Sequence, residues 1–200
     1  MPEITITLSY DGVDASNHQL DFYDAATALL GFQRSLAIVT HLTLNGEIIT
    51  QAPSLKGARI FVHPPKAGSW EIAAFLVLAG TALYKVGTTP KDTPIGHIVR
   101  SVYDLVISSA LGFHVDYEKS LGQQYEEYNI SENALPRVRL SQIQSAAEKC
   151  ETAIKDMHRP IVISETADTA KIFTSLSDVR QEMSVTLSQY SYERLMENSV

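Results

Sequence analysis

A chain of 200 residues, 44% hydrophobic and 20% charged, carries enough apolar material for a packed core, which excludes disorder as its main state. Its formal charge of −7 argues against sequence-independent binding to nucleic acid, which needs clustered Lys and Arg. The single cysteine, Cys150, excludes an internal disulfide and a cysteine-built zinc site.

Ile4, Ile6 and Leu8 alternate with Thr5, Thr7 and Ser9, the period of two of a half-buried strand. Tyr10-Asp11-Gly12 closes it as a turn, and Asp21 is placed to cap the next element. Phe22, Ala26, Leu29, Phe32, Leu36 and Val39 recur at helical spacing, so a long helix over 22–44 is predicted, ended by Asn45-Gly46. Residues 57–64 alternate again, and Pro64 to Ser69 form a turn into a strand that begins at 69–75. The uncharged stretch from Ile72 to Leu83 is too short to span a bilayer, which takes roughly 20 apolar residues, and reads as a buried core segment.

Residues 87–92 read as a loop. Thr93-Pro94 then opens a predicted helix to about Gly112. Residues 114–135 are polar, and an irregular exposed stretch with a boundary is expected there. Ser141 and Gln144 have capping-box spacing, followed by Ile143, Ala147, Cys150, Ile154 and Met157 on one stripe of a helix to about 158. Ile161-Val162-Ile163 reads as an added edge strand. A final helix is predicted from about Asp168 to 197, with Ile172, Leu176, Val179, Met183, Leu187 and Tyr190 along one side.

The expected architecture is α+β. A small, mainly antiparallel sheet from residues 3–9, 57–64 and 69–75 packs against the long helix and the apolar 74–86 segment. The C-terminal half is helical. The organisation read from this is an α+β domain over 1–125 and a helical layer over 136–200 packed on it.

Candidate chemistry is sparse. The six histidines form no ligand-spaced pair. Asp11, Asp14, Asp21 and Asp24 gather oxygens near one helix end, but they lack calcium-loop spacing and are explained by turns and the helix dipole. Cys150 lies on an apolar stripe without a base beside it, as a structural thiol does. Lys85 to Lys91 has the wrong order for a phosphate loop, and Gly68-Ser69-Trp70 is no nucleophile elbow. No metal or cofactor is implied.

Segments Leu20 to Asp24, Gly31 to Leu36, Lys56 to Ile60 and Gly68 to Ile72 together resemble a family of uncharacterised bacterial proteins, a domain of unknown function from proteobacterial and mobile-element genomes. The resemblance covers roughly residues 3–120 and brings no catalytic signature. It implies a longer protein with a β-rich segment after the helical part.

The leading functional reading is a cytoplasmic protein-interaction or oligomerisation module, with a homo-oligomer or protein partner and neither nucleic acid nor a membrane span. The Met1-Pro2-Glu3 start has no leader pattern, and a lone cysteine suits a reducing compartment. Trp70, Leu176, Met183 and Tyr190 are the expected binding residues. The alternative is a hydrolase of a phosphorylated or nucleotide ligand, assembled in the fold from Asp11, Asp14, Asp21, His18 and His63. A third class, contact with a membrane surface, would use residues 72–83.

Overall fold

The computed structural model of the protein describes residues 4–65, 70–78, 94–111, 138–176 and 184–199. The elements in chain order are β1 (Ile4–Asp11), α1 (Phe22–Asn45), β2 (Ala58–Val62), β3 (Trp70–Leu78), α2 (Pro94–Leu111), α3 (Leu140–Val162), β4 (Thr169–Leu176), β5 (Ser184–Leu187) and α4 (Gln189–Asn198). Short 3-10 turns occupy Val13–Asn17 and Ala52–Ser54.

The five strands form one antiparallel sheet in the order β2-β3-β1-β4-β5. β1 and β2, joined through α1, stand apart with β3 between them, and β4 returns to the other side of β1. This is the split βαβ arrangement with a fifth strand added. Alternation sets the register: Ile6, Leu8 and Tyr10 face the helices, with Ala74, Ile72 and Trp70 opposite them on β3 and Thr174, Ile172 and Ala170 on β4. Leu8 is fully buried and Ile6 and Tyr10 nearly so, which places the core against this face.

The α+β class therefore holds, with three element-level corrections. The helix predicted from Asp168 is instead the β4–β5 hairpin followed by the shorter α4. Ile172 and Leu176 are four apart, as are Met183 and Leu187, and a step of four fits both a helical turn and an even number of strand residues. Ile161 and Val162, expected as a strand, form the last turn of α3, which runs past 158. Residues 72–78 of the apolar segment are β3 itself, inside the sheet between β2 and β1. The predicted loop at 87–92, the boundary stretch at 114–135 and Met183 lie outside the described residues.

α1 starts and ends as its sequence dictates. Asp21 Oδ1 accepts the Asp24 N–H at 3.0 Å, and Gly46 adopts the left-handed region at φ 69°, where its N–H reaches the Leu42 carbonyl. Its first turns are rotated from the predicted stripe: Phe22 and Ala26 are exposed, while Asp24, Ala25 and Ala28 are buried. The reason is an ion pair, Arg159 Nε to Asp24 Oδ1 at 2.8 Å, which draws the carboxylate under α3. α1 and α3 approach closely at Gly31, where a Cβ would stand 2.4 Å from the Ala153 carbonyl oxygen. α2 packs on both, and its buried Tyr103 hydroxyl lies 2.8 Å from Ser35 Oγ.

Candidate functional site

The predicted site residues do not converge. Trp70 begins β3 half-buried, its ring edge-on to Tyr10 at 5.3 Å, so it serves the core. Leu176 ends β4 opposite Ile4, whereas Tyr190 stands exposed in the first turn of α4. The stripe that was to join them on one helix is divided between a strand and a helix.

The acidic suspects serve the turns after β1. Asp11 Oδ1 accepts the Gly12 N–H at 2.8 Å and the Ser16 hydroxyl at 3.3 Å, Asp14 sits in the 3-10 turn, and Asp21 caps α1. His18 is exposed in the left-handed cap of that turn, φ 64°. His63 is elsewhere: its N–H bonds the Ala73 carbonyl, which places it level with Thr7 and two strands from β1, its ring stacked on Phe75 at 4.6 Å. Among the described residues no three His, Cys, Asp or Glu side chains gather as metal ligands. The Cys150 thiol is pushed up to about 12 by burial, a poor nucleophile held in the core.

One serine–histidine pair has bonding geometry. His158 Nδ1 donates to the Ile154 carbonyl at 2.7 Å, which leaves Nε2 to accept from Ser191 Oγ, also at 2.7 Å. Both side chains are buried, 0% and 1% exposed, so no substrate reaches them. The pair fastens α4 to α3. Ser191 also caps its own helix, its Oγ accepting the Ser188 N–H at 2.7 Å.

Among the described residues the more open margin of the sheet is the opposite one, along β2. The chain enters β2 from a fixed point: His41 Nδ1 accepts the Lys56 N–H at 3.1 Å, and Asn45 Nδ2 donates to the Lys56 carbonyl at 3.0 Å. Burial holds His41 below the ordinary histidine range, and the Lys56 bond fixes the neutral tautomer with its proton on Nε2.

In an antiparallel ladder alternate residues bond the partner. Since the His63 N–H bonds Ala73, residues 59 and 61 also face β3, and the N–H and C=O of Ala58, Ile60 and Val62 point away from β3; Ala58 is buried, which leaves Ile60 and Val62 as the open positions. Phe61 and Val62 are 42% and 61% exposed at this edge.

Two adjoining hollows, of about 400 and 300 Å³, line this margin and share Gln33 and Ala52. The first lies among Leu30, Gln33, Arg34, Ala52 and Pro53; the second is also lined by Leu55, Ala58, Arg59, Ile60 and Phe61. Neither has a carboxylate among its described lining residues. Arg34 Nε is buried without a hydrogen-bond partner. An exposed ridge on α1, from Phe22 through Ala26 to Leu30, leads into the groove.

Sequence reasoning missed this site, although a signal was present. From residue 48 to 70 the chain holds Lys56, Arg59 and Lys66 and no acidic residue, a basic island in a chain of charge −7.

A family model described as a domain of unknown function, DUF7946, matches residues 6–193, well beyond the 3–120 of the resemblance read from the sequence. No curated protein and no solved structure gives a significant match.

Proposed function

The chain belongs to the DUF7946 family of unknown function, and from that premise we propose that it is a protein-interaction module whose contact surface is the β2 margin. The observation that carries this reading is the pair of outward-facing backbones at Ile60 and Val62, beside exposed Phe61 and Val62. Such an edge is a template for another strand, and sheet proteins ordinarily blunt theirs. The exposed Phe22–Leu30 ridge adds apolar area next to it.

The two parts of the chain, 1–125 and 136–200, act in this reading as one unit, the second packed on the first. The setting is a reducing, bacterial cytoplasm, supported by the single buried cysteine and the family resemblance. Among the described residues no helix is long and apolar enough to cross a membrane.

A photoreactive benzoylphenylalanine placed at Val62 tests the assignment, with the same group at exposed Tyr190 as its counterpart. Adducts formed in cells at Val62 and absent at Tyr190 are the expected result. Adducts confined to Tyr190 would move the contact to α4 and overturn the reading.

A further inference from the structure

Resting on the β2 reading, we propose that the groove binds an extended acidic peptide segment of a partner protein, added beside β2 with one carboxylate facing Arg34 in the first hollow and another facing Arg59 along the second. Backbone pairing needs only an extended chain, so the outward groups of Ile60 and Val62 account for the shape of the occupant but not its chemistry.

The chemistry comes from the groove wall. Arg34 lines one hollow with Leu30, Gln33, Ala52 and Pro53, and its Nε, closed to solvent, has no hydrogen-bond partner. A buried donor without a partner is costly, and a guanidinium is satisfied best by the two oxygens of a carboxylate. Arg59 lies along the adjoining hollow, one residue from the outward groups of Ile60.

A second copy of the chain fits less well. Edge-to-edge pairing of two β2 strands would bring two basic islands together, each with Lys56 and Arg59 and no acidic residue between 48 and 70. An acidic strand meets the same edge with opposite charge.

The test pans a phage-displayed library of random heptapeptides against the full chain, then measures the recovered peptides by fluorescence anisotropy on four proteins: the parent, Val62→Pro, Arg59→Gln and Arg34→Gln. Val62→Pro removes one outward N–H at an exposed position and leaves the bonds to β3 intact. Expected are peptides with Asp or Glu among β-formers, weakened about tenfold by each arginine change and by Val62→Pro. Arg34→Lys, which keeps charge and bulk, recovers part of the affinity if Arg34→Gln also loosens the fold.

Recovered peptides that lack acidic residues, or that ignore both arginines, overturn the acidic occupant while the edge reading stands. Dimerisation of the chain itself, abolished by Val62→Pro, places a second copy there with the same consequence. Peptides indifferent to Val62→Pro, or no enrichment at all, overturn the edge reading and the occupant together.

Discussion

The two margins of the sheet are treated in opposite ways. At one, β5 is four residues long and passes through Ser188 into α4, which docks on α3 and α2 through buried Leu195 and the His158–Ser191 pair. At the other, β2 carries Phe61 and Val62 into solvent and turns the backbone groups of Ile60 and Val62 outward. A short strand followed at once by a docked helix leaves little edge to pair with, whereas an apolar, basic edge beside a groove invites pairing. Changes at the first margin should therefore alter stability, and changes at the second should alter binding.

The largest effect is expected from His158→Ala. It opens a cavity in a fully buried position and leaves the Ile154 carbonyl and Ser191 hydroxyl without their partner, a loss of about 3 kcal/mol. Urea unfolding measures it. A loss under about 1 kcal/mol, within the range of ordinary surface changes and simple contacts, would mean that α4 does not depend on this pair.

Acid should act on the same bond. Burial pushes His158 down from 6.5 to about 4, and its hydrogen bond to the Ile154 carbonyl acts the other way. The folded chain thus holds this proton less tightly than the unfolded chain. The group's contribution is complete above pH 6.5 and falls away between 6.5 and 4, by about 3 kcal/mol in all. Unfolding midpoints of the parent and His158→Gln at pH 7 and pH 4 give the difference, and the variant should lose less on acidification. An equal loss would show that other groups govern the acid limb.

The comparison also explains what the sequence made legible. β1, α1 and β2 were readable because each carries a local signal: alternation from Ile4 to Ser9, the Asp21 and Gly46 caps, and alternation over 57–64. The β4–β5 hairpin was not, because a four-residue spacing suits either period and only pairing with β1 decides it. The buried face of α1's first turns was hidden for a similar reason. Asp24 looks like a solvent residue until Arg159, 135 positions later, is beside it. The candidate site divided in the same way. Its charge was visible between 48 and 70, but the free edge is a property of strand order, and no local pattern in the chain specifies that β2 is last.

At the β2 margin the stability effects should be small. Val62→Pro changes an exposed residue whose N–H bonds nothing in the sheet, so its unfolding free energy should stay within about 0.5 kcal/mol of the parent. Circular dichroism melts, run beside the peptide measurements, check this. A loss of several kcal/mol would mean that the Val62 amide is needed by the fold, and the edge would no longer count as free.

The smallest and sharpest effect concerns Arg34→Met. A side chain kept for packing and internal hydrogen bonding should cost stability when changed. Arg34 Nε has no bond to lose, since it is already removed from water without a partner. Methionine keeps an unbranched stem of similar reach and brings no donor to be satisfied. The Arg34 charge does favour the ionised form of Asp156, but Arg159 is the larger source of that effect. Stability is therefore expected to be unchanged or raised by up to about 1 kcal/mol, as when a residue held for binding is replaced by one suited to the fold. Peptide affinity should fall in the same variant. Unchanged stability with lost binding would separate the two margins at one residue, whereas a destabilised Arg34→Met would assign the guanidinium to the structure and remove the charge from the groove's chemistry.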